Sequence, residues 1–87
     1  MFNEYDERYI KHLCELWRGT RKAYENAKDE GNDEMVKILN GAVSYQMGII
    51  AGVVKYIGER DGMDLHCNFY YGILTIKDGN TGERVDY

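Results

Sequence analysis

Apolar positions recur at steps of three and four from residue 4 to about residue 30. Tyr5, Tyr9, Ile10, Leu13, Leu16, Trp17, Thr20, Tyr24 and Ala27 fall on one side of a 3.6-residue wheel, and Phe2 extends the stripe backwards. Glu7, Lys11, Glu15, Arg18, Lys22, Glu25 and Asp29 fall opposite. The spacing predicts an amphipathic helix with Asn3 as its N-cap. It stops in Asp29-Glu30-Gly31-Asn32-Asp33-Glu34, where Gly31 suits the left-handed position that closes a helix and Asn32 or Asp33 caps the next one. A second helix is predicted over about residues 33–59. Two helices of similar length joined by a tight polar turn make an antiparallel hairpin, each arm about 40 Å long.

The period changes after Gly62. Phe69 to Lys77 is aromatic and β-branched, Asp78-Gly79-Asn80-Thr81-Gly82 is rich in turn formers, and Glu83 to Tyr87 alternates polar with apolar. This predicts a β-hairpin with strands at about 69–77 and 83–87, Ile76 opposite Val85 and Leu74 opposite Tyr87. Two strands alone are marginal in water, so their apolar face must lie on the helices or extend another sheet. The expected fold class is α+β, in one domain over residues 1–87: a long antiparallel αα-hairpin followed by a C-terminal β-hairpin.

The second helix carries two distinct faces. Val36, Leu39, Val43, Met47, Ile50, Val54 and Ile57 form an apolar one, while Gly41, Tyr45, Gly48 and Gly52 line up on the other. Each interior glycine costs a helix about 1 kcal/mol relative to alanine. Two packings are open. In one, the first helix fits its large rings into the glycine groove, the β-hairpin covers the apolar face, and the monomer is closed. In the other, the first helix covers the apolar face and leaves the glycine stripe to a second copy or another protein, a homodimeric four-helix core being the natural result.

The chain has 87 residues, with 11 lysines and arginines against 15 acids and a net charge of -4. That makes it a poor candidate for a general nucleic-acid or anionic-membrane binder. The uncharged run from Ile38 to Val54 is about a turn short of a bilayer span, so no membrane segment is expected. Two cysteines, Cys14 and Cys67, are too few for a disulfide framework, and MFNEYDERYI does not read as a signal peptide. The expected compartment is the cytoplasm.

Candidate chemistry is sparse. His12 and Cys14 point apart on a helix, and His66 and Cys67 are neighbours in an extended segment, so no metal site is expected. There is one serine, Ser44, and neither histidine has an identifiable partner, so no catalytic set, enzyme activity or cofactor is expected. Arg18, Arg21 and Lys22 are the one basic cluster and define an alternative, a nucleic-acid-binding regulator. A small-ligand sensor with its pocket between helices and β-hairpin is another. Asp29, Glu30, Asp33 and Glu34 gather at the turn between the helices, where they could imitate phosphates. Of the eight tyrosines, Tyr45, Tyr70, Tyr71 and Tyr87 are the ones expected at a contact surface.

The leading expectation is therefore a small acidic non-enzymatic protein-binding module, an inhibitor or regulator of another protein. Small acidic chains without targeting or catalytic motifs are typical of phage proteins that block defence enzymes, so class analogy points to an anti-CRISPR-like inhibitor of a nucleic-acid-handling effector. The contact residues would be Tyr45, Gly48, Gly52, Tyr70, Tyr71 and Tyr87, with Asp29, Glu30, Asp33 and Glu34 steering the chain toward a basic partner surface.

Overall fold

The computed structural model describes all 87 residues. Helix α1 spans Glu4–Asp29 and α2 spans Asp33–Asp61. They are followed by β1 (Leu65–Tyr70), β2 (Ile73–Asp78) and β3 (Arg84–Asp86) in one antiparallel sheet of order β1-β2-β3. This is an α+β fold with the helical hairpin in place. The Asn3 side chain accepts a hydrogen bond from the Asp6 amide at 2.7 Å, which satisfies a free donor at the start of α1. At the other end, Gly31 at φ 69° lets its own amide donate to Lys28 and the Asn32 amide donate to Ala27, closing the last turn. The Asn32 side chain then caps α2 by accepting from the Met35 amide.

The sheet differs from the two-strand expectation. Residues 69–77 are not one strand, because Tyr71 and Gly72 take φ values of 48° and 80° and turn the chain back on itself. Positive φ at both central residues is the signature of the two-residue turn that matches the twist of a hairpin. Tyr70 pairs with Ile73 across it, and the register continues to Leu65 opposite Asp78. Leu65–Tyr70 thus forms an additional strand, in which Leu65, Cys67 and Phe69 face inward and His66, Asn68 and Tyr70 outward. The second hairpin has the expected register. Ile76 pairs with Val85, and Leu74 and Tyr87 exchange backbone hydrogen bonds at 3.1 and 2.8 Å.

One face of the sheet lies on one face of the helical pair. The core joins Ile10, Cys14 and Trp17 of α1, Ile50, Val54 and Ile57 of α2, and Leu74 and Ile76 of β2. Phe69 meets the Trp17 indole edge-on, with ring centroids 5.2 Å apart. Polar groups fasten the ends. Arg60 near the end of α2 bonds the buried carboxylate of Asp6 and also Asp61. Arg18 donates to the main-chain oxygens of Gly72 and Tyr87 at 3.3 and 3.2 Å, tying α1 to both outer parts of the sheet. The buried Asp78 carboxylate accepts from the amides of Asn80 and Asp64, which holds the loop between β2 and β3 against the end of α2. The result is elongated, 45 × 21 × 16 Å.

Burial raises the Cys67 thiol from 9.0 to about 11, and burial with the nearby Glu7 charge raises the Tyr87 hydroxyl from 10.0 to about 12. Both groups hold their protons more tightly in the folded chain than in the unfolded one. Stability therefore falls as pH rises from about 9 and levels off only above about 12, which denaturant titrations across that range will measure. Asp78 acts in the opposite sense. Its carboxyl is lowered chiefly by the Asn80 amide, so its contribution is present above the ordinary aspartate range and is lost as pH falls through its own lower value.

Candidate protein-binding surfaces

Three surfaces carry the residues singled out in the sequence. The first is the turn between β1 and β2. Strand alternation sends Tyr70 outward, the turn does the same for Tyr71, and the two rings meet edge to face at 4.4 Å. Tyr70 is 67% exposed, Tyr71 78% and Ile73 50%. A left-handed backbone costs a residue with a Cβ roughly 1–2 kcal/mol, and turns of this kind favour Asn-Gly. Tyr71 therefore occupies a strained position without repaying it by burial. Gly72 beneath it is buried, and a Cβ there would come within 2.6 Å of Arg21 Nη1.

This arrangement redistributes the basic cluster. Arg18 is half-buried and donates to Gly72 and Tyr87, while Arg21 lies over the Trp17 ring at 5.8 Å. None of the three enters an ion pair, and Lys22 is the exposed one. Trp17 itself is buried and offers no ring to a base.

The second surface is the back of the helical layer, away from the sheet. The fold is closer to the second packing open from the sequence, in which α1 packs on the apolar face of α2 and the glycine stripe stays bare, and it differs from both in that the sheet shares that apolar face with α1. Gly41, Gly48 and Gly52 are exposed, and a Cβ added at any of them would meet nothing within 4 Å. Tyr45 stands beside them at 72% exposure. Grooves between the helices expose further apolar groups: Tyr5, Tyr9, Ile49, Gly52 and Tyr56 line one, and Leu13, Leu16, Tyr45 and Ile49 the next. The exposed apolar positions of α1 belong to the same periodic stripe as its core. Sequence periodicity alone did not separate the part facing the sheet from the part facing solvent.

The third surface is the turn between the helices. Asp29, Glu30, Asp33 and Glu34 are all exposed, and none enters an ion pair. Asp33 and Glu34 suit the positive start of α2, whereas Asp29 and Glu30 sit at the negative end of α1, against its dipole. Tyr87 belongs to none of these surfaces. Contrary to expectation it is half-buried, with its ring 6.4 Å from Phe2, because pairing with the buried Leu74 puts it on the core face of the sheet.

The remaining chemistry is dispersed. Cys14 is buried with its thiol raised by desolvation, Cys67 is half-buried, and the two are unpaired. Protonated thiols of this kind are weak nucleophiles. His66 lies 3.1 Å from Asp64 at the surface, His12 is exposed on α1, and no group of three or more His, Cys, Asp or Glu side chains draws together. The interior between helices and sheet, where a sensor would hold its ligand, is filled by Ile10, Cys14, Trp17, Ile50, Val54, Leu74 and Ile76, and an open groove remains at its edge between α2 and β1, lined by Lys55, Glu59, Leu65, Cys67 and Phe69. No helix is long and apolar enough to cross a membrane. No protein-family model, curated protein or solved structure matches the chain.

The glycines of α2 divide into two kinds, which substitution will separate. Gly48→Ala fills open space and gains helix propensity, so urea denaturation of dilute protein should show a gain of about 1 kcal/mol. Gly58→Ala presses a Cβ to 3.0 Å from the Met63 carbonyl oxygen and against Leu65, and should lower stability in the same assay.

Proposed function

We propose that this chain is a non-enzymatic protein-binding module that regulates or inhibits another protein by covering part of its surface, in the cytoplasm, where Cys14 and Cys67 stay reduced. The observation that carries the reading is the Tyr70–Tyr71 turn, two exposed tyrosines in edge-to-face contact presented on a strained backbone. Tyrosines supply large contact area at low entropic cost and act as anchors when a partner desolvates them. Arg18 fixes the turn against α1 by donating to Gly72, Arg21 lies close to the same glycine, and from Arg21 the helix runs roughly 12 Å further to Asp29 at about 1.5 Å per residue. Aromatic anchors and an unpaired acidic rim therefore lie toward the same end of the molecule. That combination fits a target with a basic surface, and a net charge of -4 would steer the encounter. A nucleic-acid-handling effector, blocked as phage anti-defence proteins block theirs, is the target class this supports. The alternative of direct nucleic-acid binding has less support, since Arg18 and Arg21 are engaged within the fold.

Tyr71→Asn tests the reading, because stability and binding should respond in opposite senses. Asparagine suits the left-handed position, so the variant should be as stable as the parent or more so, by up to about 1 kcal/mol. Its capture of the partner from nuclease-treated host lysate should fall sharply. A partner recovered equally by both proteins would remove the turn from the binding surface, and recovery that disappears on nuclease treatment would move the role to nucleic acid.

A further inference from the structure

The back of the helical layer is larger than an isolated chain requires. Tyr5, Tyr9 and Leu16 of α1 and Met35, Ile38, Tyr45, Ile49 and Tyr56 of α2 are each between 38% and 77% exposed. The two interhelical grooves share Ile49, so the patch is continuous, and Ile38 and Met35 prolong it along α2. Taking about 200 Å² for a fully exposed tyrosine and somewhat less for the aliphatic side chains, these residues present roughly 800 Å². That exceeds the largest apolar patch of a typical monomer and equals what each partner buries in a standard interface. At the floor of one groove, Gln46 Oε1 is buried without a hydrogen-bond donor.

The seam along α2 reads Ile38, Gly41, Tyr45, Gly48, Ile49, Gly52, Tyr56, large residues interleaved with glycines. We propose that this face is occupied by a second copy of the chain, docked antiparallel about a two-fold axis that crosses α2 between Gly48 and Ile49. That axis sets Tyr45 opposite the partner's Gly52, Ile49 opposite the partner's Gly48 and Tyr56 opposite the partner's Gly41. Each large side chain of the central seam meets a glycine, which lets the backbones approach closely. Sliding the partner by one turn sets Gly41 against the partner's Gly52 in one direction and Tyr45 against the partner's Tyr56 in the other, so the fit is specific to one register. The same axis sets Lys37 across from the partner's Arg60, whose charge is already met by Asp6 and Asp61, and beside the partner's Glu59, whereas a parallel pairing would set Lys37 on Lys37 and Glu59 on Glu59. Within one chain these glycines meet nothing and only weaken the helix; across the axis they have a use. The surface lies on the opposite side of the helices from the sheet that carries Tyr70 and Tyr71, so dimer formation leaves that turn free.

Sedimentation equilibrium of the full chain between about 1 and 100 µM should give twice the 10.1 kDa chain mass. Gly52→Tyr, which has open space in the single chain, should keep its helical circular dichroism and dissociate at least about tenfold more readily. The exchange pair Tyr45→Gly with Gly52→Tyr swaps large for small across the axis and should restore the dimer. A chain that stays at monomer mass, a dimer unaffected by Gly52→Tyr, or a failure of the exchange pair to restore association would each overturn this register. Partner capture through Tyr71 is read separately. Capture by a monomeric wild-type chain would leave the proposed function standing without the dimer, and a dimer that captures nothing would do the reverse.

Discussion

Helices of 26 and 29 residues extend about 40 Å, whereas six-residue strands reach about 20 Å. The sheet can therefore cover about half the length of one face of the helical pair, and it leaves the opposite face bare. Where the sheet lies, Ile10, Cys14, Trp17, Ile50, Val54, Leu74 and Ile76 close into a core with almost no exposure. Elsewhere tyrosines, isoleucines and glycines face solvent. A short chain buries a smaller share of its surface than a long one, and this chain concentrates its burial in a single interlayer contact.

Holding that one contact in register falls to a few polar side chains at its margins. Arg18 reaches the oxygens of Gly72 and Tyr87, Arg60 joins Asp6 to Asp61, and Asp78 gathers the amides of Asn80 and Asp64. The bonds from Arg18 and from Arg60 to Asp6 span 54 positions or more, so they convert an apolar contact without preferred direction into a fixed arrangement. Arg18 also connects the core to the proposed binding turn: the side chain that anchors β2 to α1 fixes the backbone from which Tyr71 projects.

Much of this architecture can be read from periodicity and caps. Asn3, Gly31 and Asn32 mark the helix ends, and the alternation around Ile76 and Val85 sets the second hairpin. The first hairpin was hidden because its turn uses tyrosine where asparagine is usual, so nothing in Phe69-Tyr70-Tyr71-Gly72-Ile73 announces a reversal. The strand before it was hidden by His66 and Asn68, although Leu65, Cys67 and Phe69 alternate as a half-buried strand does. At the surfaces, Tyr45 and the glycines of α2 could be placed on one stripe, but which partner that stripe met depended on long-range packing. The roles of Arg18 and Arg21 were equally out of reach, since a bond to Gly72 spans 54 positions. Tyr87 was misplaced as a surface residue even though its expected pairing with Leu74 already implied the core side.

The half-covered hairpin has a consequence for how the molecule can change. Toward Gly31 the buried interlayer core ends at Trp17 on α1 and Ile50 on α2, and both arms run on well beyond it. Their length is then not dictated by the core. Inserting or deleting a matched seven-residue segment in both arms near Gly31 would return every face to nearly the same phase and leave the closing turn intact. The distance between the acidic turn and the tyrosine turn is thus an adjustable dimension, and related chains could match differently sized targets by changing it while leaving the interlayer core untouched.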